Sequence, residues 1–267
     1  MDKILLSKLV TLKELGYYSL ATTLAGVVLM VVNPITNSYF PRFTALVASR
    51  DRKALVRSFH NANQLVALCV VPGAITIAFY SRYILYIWTR NQDIADKAHI
   101  VLSIVIIGCM LNAFVNVPYY MQLAHSFSKV LFWYNFWSLV FLVPAIFFLA
   151  SHYGIIGGAT ALLFLNFSYV AIESWFLFAK VLPEQISRWY LQDIFPPIGI
   201  SLLFIVASCQ FKYSGNSLIG MILTVGIIAS IAYILTAIST PIVRTLFLDA
   251  IRKVVRSRTQ GAFSTNH

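Results

Sequence analysis

Two pairs of asparagines stand inside long apolar runs of this sequence. Asn33 and Asn37 are four residues apart, and Asn112 and Asn116 repeat that spacing. Side chains four residues apart lie on the same face of a helix, so each pair predicts a polar patch on one side of an apolar helix. A polar patch at that depth is a candidate for the path of a polar substrate.

Glu173 is the acid that lies well inside an apolar run. An ionisable residue at membrane depth is a functional-site candidate, here for a substrate path or for coupling to an ion. A structural pair with Lys180, seven residues further on, is the alternative that the sequence leaves open.

The sequence lacks common signatures of enzymes. It contains no G-x-x-x-x-G-K-[ST] phosphate loop, no H-E-x-x-H and no G-x-G-x-x-G. Its five histidines fall on different segments without a patterned acidic or cysteine partner, and its three cysteines show no metal-ligand spacing. No catalytic residue, metal site or cofactor is therefore predicted.

The composition sets the class of protein. Hydrophobic residues make up 59% of the 267 positions and charged residues 11%, with a mean hydropathy of +0.79. A soluble domain carries about 25% charged residues, and its polar surface could not cover so much apolar material. The sequence thus predicts an integral membrane protein. Its net charge of +11 points to a membrane setting, and no nucleic-acid partner is predicted.

Seven apolar runs are long enough for membrane-spanning helices, since a bilayer core needs about 20 residues per helix. They cover residues 17–39, 62–81, 98–121, 130–150, 156–179, 194–211 and 218–240. Short links separate them, so the predicted fold is all-α, a polytopic membrane helix bundle of about seven transmembrane helices. The expected organisation is a membrane domain over 1–248 and a basic cytoplasmic tail over 249–267, held near anionic membrane lipids.

The basic residues predict the orientation of the chain. Lysine and arginine number thirteen in links 41–61, 122–129 and 180–193 and in the residues after 240, against seven on the other side. The positive-inside rule places the tail in the cytoplasm, and an odd number of spans then places residue 1 outside. The opening segment is not a signal peptide, because the apolar run after it is too long and its basic flank is on the wrong side. It is a translocated tail or the end of an upstream span.

Four stretches occur in an order that resembles a known family. They are "DKILLSKLVTLKELGYYSLATTLA", "NPITNSYFPRFTALVASRD", "VPYYMQLAHSFSK" and "YGIIGGATALLFLN". Together they resemble the C-terminal half of bacterial oligosaccharide flippases, the O-antigen and capsule translocases of the multidrug/oligosaccharidyl-lipid/polysaccharide superfamily. The resemblance runs from residue 2 to about residue 200.

This resemblance implies a fold, a function and partners. The chain would form the C-terminal lobe of a two-lobed flippase plus two extra helices, with residues 2–14 as the stump of a preceding span. It would translocate an undecaprenyl-diphosphate-linked oligosaccharide across the bacterial inner membrane for surface polysaccharide such as the O-antigen of lipopolysaccharide. Its implied partners are the lipid-linked oligosaccharide, membrane lipids, and a separate N-terminal half or polysaccharide-assembly proteins.

The resemblance also implies where the substrate passes. A sugar with a diphosphate can cross hydrocarbon only along a polar path that is positive at some point. The substrate-path candidates are Asp2, Lys3, Asn37, Arg42, Asn112, Asn116 and Glu173. Arg42 could instead be an interfacial anchor, and Lys3 could extend to the interface as a long basic side chain does.

Three alternatives remain at this point. A related exporter of small cationic compounds would need an acidic path, for which Glu173 is the candidate. A membrane enzyme of polysaccharide assembly would need a catalytic loop, which the short links do not provide. A truncated or split half without its partner would be non-functional.

Overall fold

The computed structural model describes residues 2–210, 217–241 and 243, and within these ranges the regular structure is helical throughout. The predicted tail, 249–267, lies outside the described residues, as does the end of the predicted membrane domain. The α-helices in chain order are α1 (Asp2–Leu6), α2 (Leu12–Ala25), α3 (Val27–Ala48), α4 (Arg52–Phe79), α5 (Ser81–Thr89), α6 (Gln92–Ala124), α7 (Ser128–Ser168), α8 (Ser174–Lys180), α9 (Ile186–Arg188), α10 (Phe195–Ser208) and α11 (Leu218–Ser239). Two π-helical turns, Tyr169–Glu173 and Trp189–Ile194, lie directly before α8 and α10.

Six helical stretches within the described residues are long and apolar enough to cross a membrane. They are Leu12–Ala48, Arg52–Phe79, Gln92–Ala124, Leu131–Lys180, Pro183–Ser208 and Leu218–Ser239. The predicted fold class, an all-α polytopic membrane helix bundle, is therefore confirmed.

The fourth stretch reverses direction at Gly154, where the backbone has φ +59° and ψ −138°. Tyr134 Oη donates a hydrogen bond to the Ser168 carbonyl at 3.0 Å, which brings together residues 34 positions apart. A straight helix of 50 residues would be about 75 Å long, more than twice the bilayer core. The stretch is a helical hairpin, the Gly154 hairpin, and its two arms bring the number of crossings to about seven.

Several helices extend beyond the predicted runs. The predicted link 41–61 is mostly helical, because α3 continues to Ala48 and α4 begins at Arg52. Asp51 caps α4 by accepting a hydrogen bond from the Ala54 amide at 3.0 Å, as N-cap acids do. Hydropathy marks only the part of a helix that lies in the hydrocarbon core of the membrane. These helices continue beyond the core with polar residues, so they are longer than the apolar runs.

The N-terminal segment differs from the predicted stump over 2–14. It consists of a five-residue helix, α1, and a turn, after which α2 begins at Leu12. The boundary is set by a capping box, in which the Glu14 amide donates to Thr11 Oγ1 at 3.3 Å and Glu14 Oε2 accepts from the Thr11 amide at 2.9 Å. Residues 12–14 therefore belong to the first membrane helix.

The α6 helix lies at the centre of the bundle, where it packs against α2, α3, α4, α5, α7 and α8. The last two helices, α10 and α11, pack against each other and against α4. A polar side chain on α6 can consequently face either a neighbouring helix or a space between helices. The candidate site lies in one of those spaces.

Candidate functional site

The second asparagine pair lies where α6 meets the Gly154 hairpin. Asn112 Nδ2 donates to Asn166 Oδ1 at 3.0 Å, and Asn116 Nδ2 donates to the Asn112 carbonyl at 2.9 Å. Asn166 in turn donates to the Leu162 carbonyl at 3.0 Å. These hydrogen bonds do not use every donor and acceptor of the asparagine side chains. The remaining positions are available in an adjoining pocket that Asn112 and Asn116 line.

That pocket, here called the asparagine pocket, has a volume of about 390 Å³. Its lining comprises Asn112, Val115, Asn116, Tyr119, Asn135, Tyr169 and Glu173. Tyr169 Oη donates to Asn135 Oδ1 at 3.2 Å across the two arms of the hairpin. The lining therefore combines amide and phenol groups with one carboxyl group.

Glu173 is the last residue of the π-helical turn Tyr169–Glu173. Its side chain is buried, with 4% of the residue exposed, and its Oε1 has no hydrogen-bond partner among the described residues. Lys180 does not pair with it, since Lys180 Nζ lies 5.8 Å from the centroid of the Phe127 ring. Glu173 thus enters the pocket wall as a carboxyl group without a protein counterion in the described part of the chain.

A buried carboxylate of this kind is costly. Moving an ionised carboxylate out of water without a partner costs several kcal/mol or more (about 3 kcal/mol on insertion scales). The cost falls when a proton, a cation, water or a bound ligand compensates the charge. The position of Glu173 therefore makes the asparagine pocket the strongest candidate for a functional site in the described residues.

The depth of the pocket follows from its helices. Asn116 lies about two turns before the end of α6, Asn135 about two turns after the start of α7, and Glu173 about two turns before the end of α8. At 1.5 Å per residue these positions are about 10–12 Å from the helix ends. All three helix ends lie on the side of the bundle that carries the turn between α3 and α4, with its basic residues. We call this side the basic end.

The α3 helix continues the polar surface beyond the pocket. Tyr120 Oη donates to Asn37 Oδ1 at 3.0 Å, and Tyr120 packs edge to face against Tyr119 of the pocket wall, with ring centroids 5.7 Å apart. Asn33, Asn37 and Arg42 are exposed on the surface of α3. Arg42 lies on the same helix, further toward the basic end. The α3 helix therefore carries a positive charge between the level of the pocket and the basic end.

Four of the seven predicted path residues do not line the asparagine pocket: Asn37 and Arg42 on α3, and Asp2 and Lys3 on α1. Asp2 Oδ2 accepts a hydrogen bond from Tyr18 Oη at 2.7 Å, and Lys3 is exposed on α1. The α1 helix packs against α7, and a Cβ added at Gly158 would lie 2.8 Å from the Leu6 side chain. Gly158 is close to the Gly154 reversal, so α1 lies nearer to that end of the hairpin than the pocket does.

A second buried polar cluster, the His60 cluster, was missed in the sequence. His60 Nδ1 lies 2.5 Å from Asp193 Oδ2, and Gln64 Nε2 donates to Asp193 Oδ1 at 2.8 Å. Trp189 Nε1 donates to Asn63 Oδ1 at 2.9 Å. The sequence singled out Glu173 as the acid well inside an apolar run; Asp193, directly before the predicted run 194–211, is a second buried acid and is 0% exposed. His60, too, has an acidic partner.

One signal could have found this cluster. His60, Asn63 and Gln64 have the spacing i, i+3 and i+4, which places all three on one face of α4. Such a polar face predicts a polar partner inside the bundle. The partner is 133 residues away in sequence, and spacing along one helix does not identify it.

The described residues hold no group of three or more histidine, cysteine, aspartate or glutamate side chains that could bind a metal ion. The three cysteines are free and half-buried.

Long apolar helices packed in a bundle place this chain in the class of polytopic membrane proteins. A family model, MatE, matches residues 1–148, more than half of the 267 residues. The chain belongs to the MatE family, whose members are membrane transporters of the multidrug/oligosaccharidyl-lipid/polysaccharide superfamily. No curated protein and no solved structure matches the chain.

Proposed function

We propose that this chain contributes the path by which an undecaprenyl-diphosphate-linked oligosaccharide crosses the bacterial inner membrane for surface polysaccharide synthesis. The observation that supports this proposal is the lining of the asparagine pocket. Its polar residues are three asparagines, two tyrosines and one glutamate. Uncharged hydrogen-bonding groups next to aromatic rings suit a sugar better than they suit a strongly charged small molecule.

The chemistry of the lining explains the preference for sugar. Each asparagine offers one acceptor and two donor positions, and each tyrosine a hydroxyl that both donates and accepts. Sugar hydroxyls need the same mixture of donors and acceptors. Tyr119 and Tyr169 add flat apolar faces on which the C–H face of a sugar ring can pack.

The diphosphate of the substrate would bind at the basic end. Arg42 is exposed on α3 and makes no salt bridge among the described residues. A guanidinium group binds phosphate oxygens through paired N–H donors. Asp2 and Lys3 are proposed to serve a different part of the path, because α1 lies nearer to the Gly154 end.

The proposal sets the pocket in a membrane. With the basic end in the cytoplasm, as the positive-inside rule predicts, the pocket would be reached from the cytoplasmic leaflet, where the substrate is made. Residue 1 would lie outside and the tail inside. A second lobe, from a separate N-terminal half, or polysaccharide-assembly proteins would complete the path, since Asn33, Asn37 and Arg42 face outward from this chain.

A second candidate is an exporter of small cationic compounds. It is favoured by the carboxyl group of Glu173, which has no protein counterion among the described residues and could bind a cation. We rank it second because the remaining lining residues are uncharged.

The proposal is tested by measuring binding to the full chain in detergent by native mass spectrometry. Asn116→Ala should weaken binding of the undecaprenyl-diphosphate oligosaccharide about tenfold, which corresponds to about 1.4 kcal/mol. Binding of undecaprenyl diphosphate without sugar should stay unchanged. Ser230→Ala is the matched control, because Ser230 is exposed on α11 and bonds within its own helix. Equal affinity of the sugar-bearing and sugar-free lipids for the unmodified chain would contradict the proposal.

A further inference from the structure

Among the described residues two acids are buried, and both lie on π-helical turns. Glu173 ends the turn Tyr169–Glu173, and Asp193 lies in the turn Trp189–Ile194. A π-turn carries one residue more than an α-helical turn, and such turns often mark functional sites. Unwinding the extra residue would rotate every following side chain on that helix. The direction in which Glu173 faces thus depends on whether its π-turn persists.

One hydrogen bond joins the two π-turns. Tyr190 Oη, in the second turn, donates to the Val170 carbonyl, in the first turn, at 3.0 Å. Val170 is buried and precedes Glu173 by three residues, which is less than one helical turn. A side-chain donor at that carbonyl stabilises the irregular backbone that carries Glu173.

The second turn is itself held firmly in place. The carboxylate of Asp193 is bonded on both oxygens, by His60 and by Gln64 of α4. Trp189 packs against Phe178 of α8 with ring centroids 5.2 Å apart. Fully bonded buried polar groups specify one geometry and resist displacement. Tyr190 therefore projects from a rigid anchor toward the turn that ends in Glu173, whose Oε1 has no hydrogen-bond partner in the part of the chain that the structure describes.

We propose that the His60 cluster positions the Glu173 carboxyl group in the asparagine pocket, and that Tyr190 is the positioning residue that connects them. The anchor on α4 fixes the turn Trp189–Ile194, Tyr190 fixes the turn Tyr169–Glu173, and that turn sets the direction of the carboxyl group. What Glu173 does for transport rests on the proposed function, whereas its positioning can be measured without transport.

The test uses dicyclohexylcarbodiimide, an apolar reagent that couples to carboxyl groups in membrane surroundings. The purified full chain in lipid vesicles is treated with the reagent, and the rate of modification at Glu173 is followed by peptide mass spectrometry. Tyr190→Phe keeps the ring packing and removes the hydroxyl. Since Glu173 is almost completely enclosed, releasing its turn can only increase access. We expect about fivefold faster labelling, the factor that corresponds to one hydrogen bond of about 1 kcal/mol.

Tyr233→Phe is the matched control. Tyr233 Oη also donates to a backbone carbonyl on another helix, that of Cys69 at 2.9 Å, and this hydrogen bond reaches neither π-turn. It should leave the labelling of Glu173 unchanged. A similar increase in both variants would show general loosening of the bundle and would overturn the proposal, as would an unchanged or slower rate in Tyr190→Phe.

A second variant tests the anchor. Asp193→Asn preserves the size of the side chain and weakens its bond to His60. It should also speed labelling of Glu173, and combining it with Tyr190→Phe should add little, because both changes break the same connection. Fully additive effects of the two substitutions would overturn the role of the His60 cluster. Faster labelling of Glu173 with unchanged transport would count against the proposed function of the pocket and would leave the positioning role standing.

Discussion

The hydroxyl of Tyr233 lies 2.9 Å from the carbonyl oxygen of Cys69, to which it donates a hydrogen bond. This contact joins α11 to α4 just before Pro72, at a point where proline disturbs the helical hydrogen bonds. A Cβ added at Gly73 would lie 2.7 Å from the Tyr233 hydroxyl. A side chain at position 73 would therefore displace the Tyr233 hydroxyl from its hydrogen bond with Cys69.

Gly73→Ala should destabilise the protein, because the added methyl group displaces the Tyr233 hydroxyl from its hydrogen bond with Cys69. We expect a loss of about 1–3 kcal/mol, as for other overpacked sites, measured as a lower Tm of the full chain in detergent. Gly199→Ala on α10 is the matched control, since a Cβ there meets no atom within 4 Å. An equal Tm for the two variants would contradict the close approach of α11 and α4.

Gly154→Ala should also destabilise the protein, for a different reason. A Cβ at this position would meet no atom within 4 Å, but φ is +59°, a conformation that costs an L-residue about 1–3 kcal/mol. The loss would again appear as a lower Tm. Gly16→Ala, with open space and an ordinary helical backbone, should be neutral or slightly stabilising. A normal Tm for Gly154→Ala would rule out the reversal at this residue.

Dicyclohexylcarbodiimide should modify Glu173 and leave Asp193 unmodified. Both acids are buried, but Glu173 Oε1 has no hydrogen-bond partner within residues 2–210, 217–241 and 243, whereas both oxygens of Asp193 accept hydrogen bonds. Peptide mass spectrometry after treatment of the intact chain distinguishes the two sites. Preferential modification of Asp193 would show that the His60 cluster opens more readily than the asparagine pocket.

Glu173→Gln separates the two proposed functions. An exporter of small cations should lose all transport, because its pocket would hold no negative charge. A flippase for lipid-linked sugar should keep part of its activity, since an amide still forms hydrogen bonds with a sugar. The measurement is translocation into vesicles that contain the chain together with any second lobe that it requires. Lys180→Gln is the control, because Lys180 does not pair with Glu173.

Arg42→Gln should weaken binding of undecaprenyl diphosphate about tenfold, equal to about 1.4 kcal/mol, because a phosphate contact at the basic end is lost. Lys8→Gln removes an exposed cation just before α2, at the opposite end of the first membrane helix, and should change affinity less than twofold. Native mass spectrometry of both variants with the lipid compares the two. Equal losses would mean that the lipid responds to the net charge of the chain and not to a site at Arg42.

The sequence predicted those features that depend on neighbours along the chain. Apolar runs indicated the membrane helices, and the i, i+4 spacing placed Asn112 and Asn116 on one face. Contacts between distant segments could not be predicted in this way. Asn135 and Asn166 each have a partner on another helix, and His60 bonds Asp193 far along the chain. Spacing gives the face of a helix, whereas the identity of the facing helix depends on how the whole bundle packs.

The ends of the helices were also predicted only in part from the sequence. Hydropathy marked the first run as 17–39, yet the helical stretch extends from Leu12 to Ala48. Its start is set by the capping box of Thr11 and Glu14. Both residues are polar, so a hydropathy profile does not detect this boundary. The π-turns before α8 and α10 had no sequence signal that spacing or hydropathy could detect.

The Gly154 hairpin bears on how the chain enters the membrane during synthesis. Tyr134 of the first arm donates its hydrogen bond to Ser168, and Asn135 accepts one from Tyr169. Both partners are 34 residues downstream, so they are made after the first arm is complete. Until then the first arm carries unpaired polar groups, which hydrocarbon does not accommodate. The two arms are thus expected to leave the insertion machinery for the lipid together, as one hairpin.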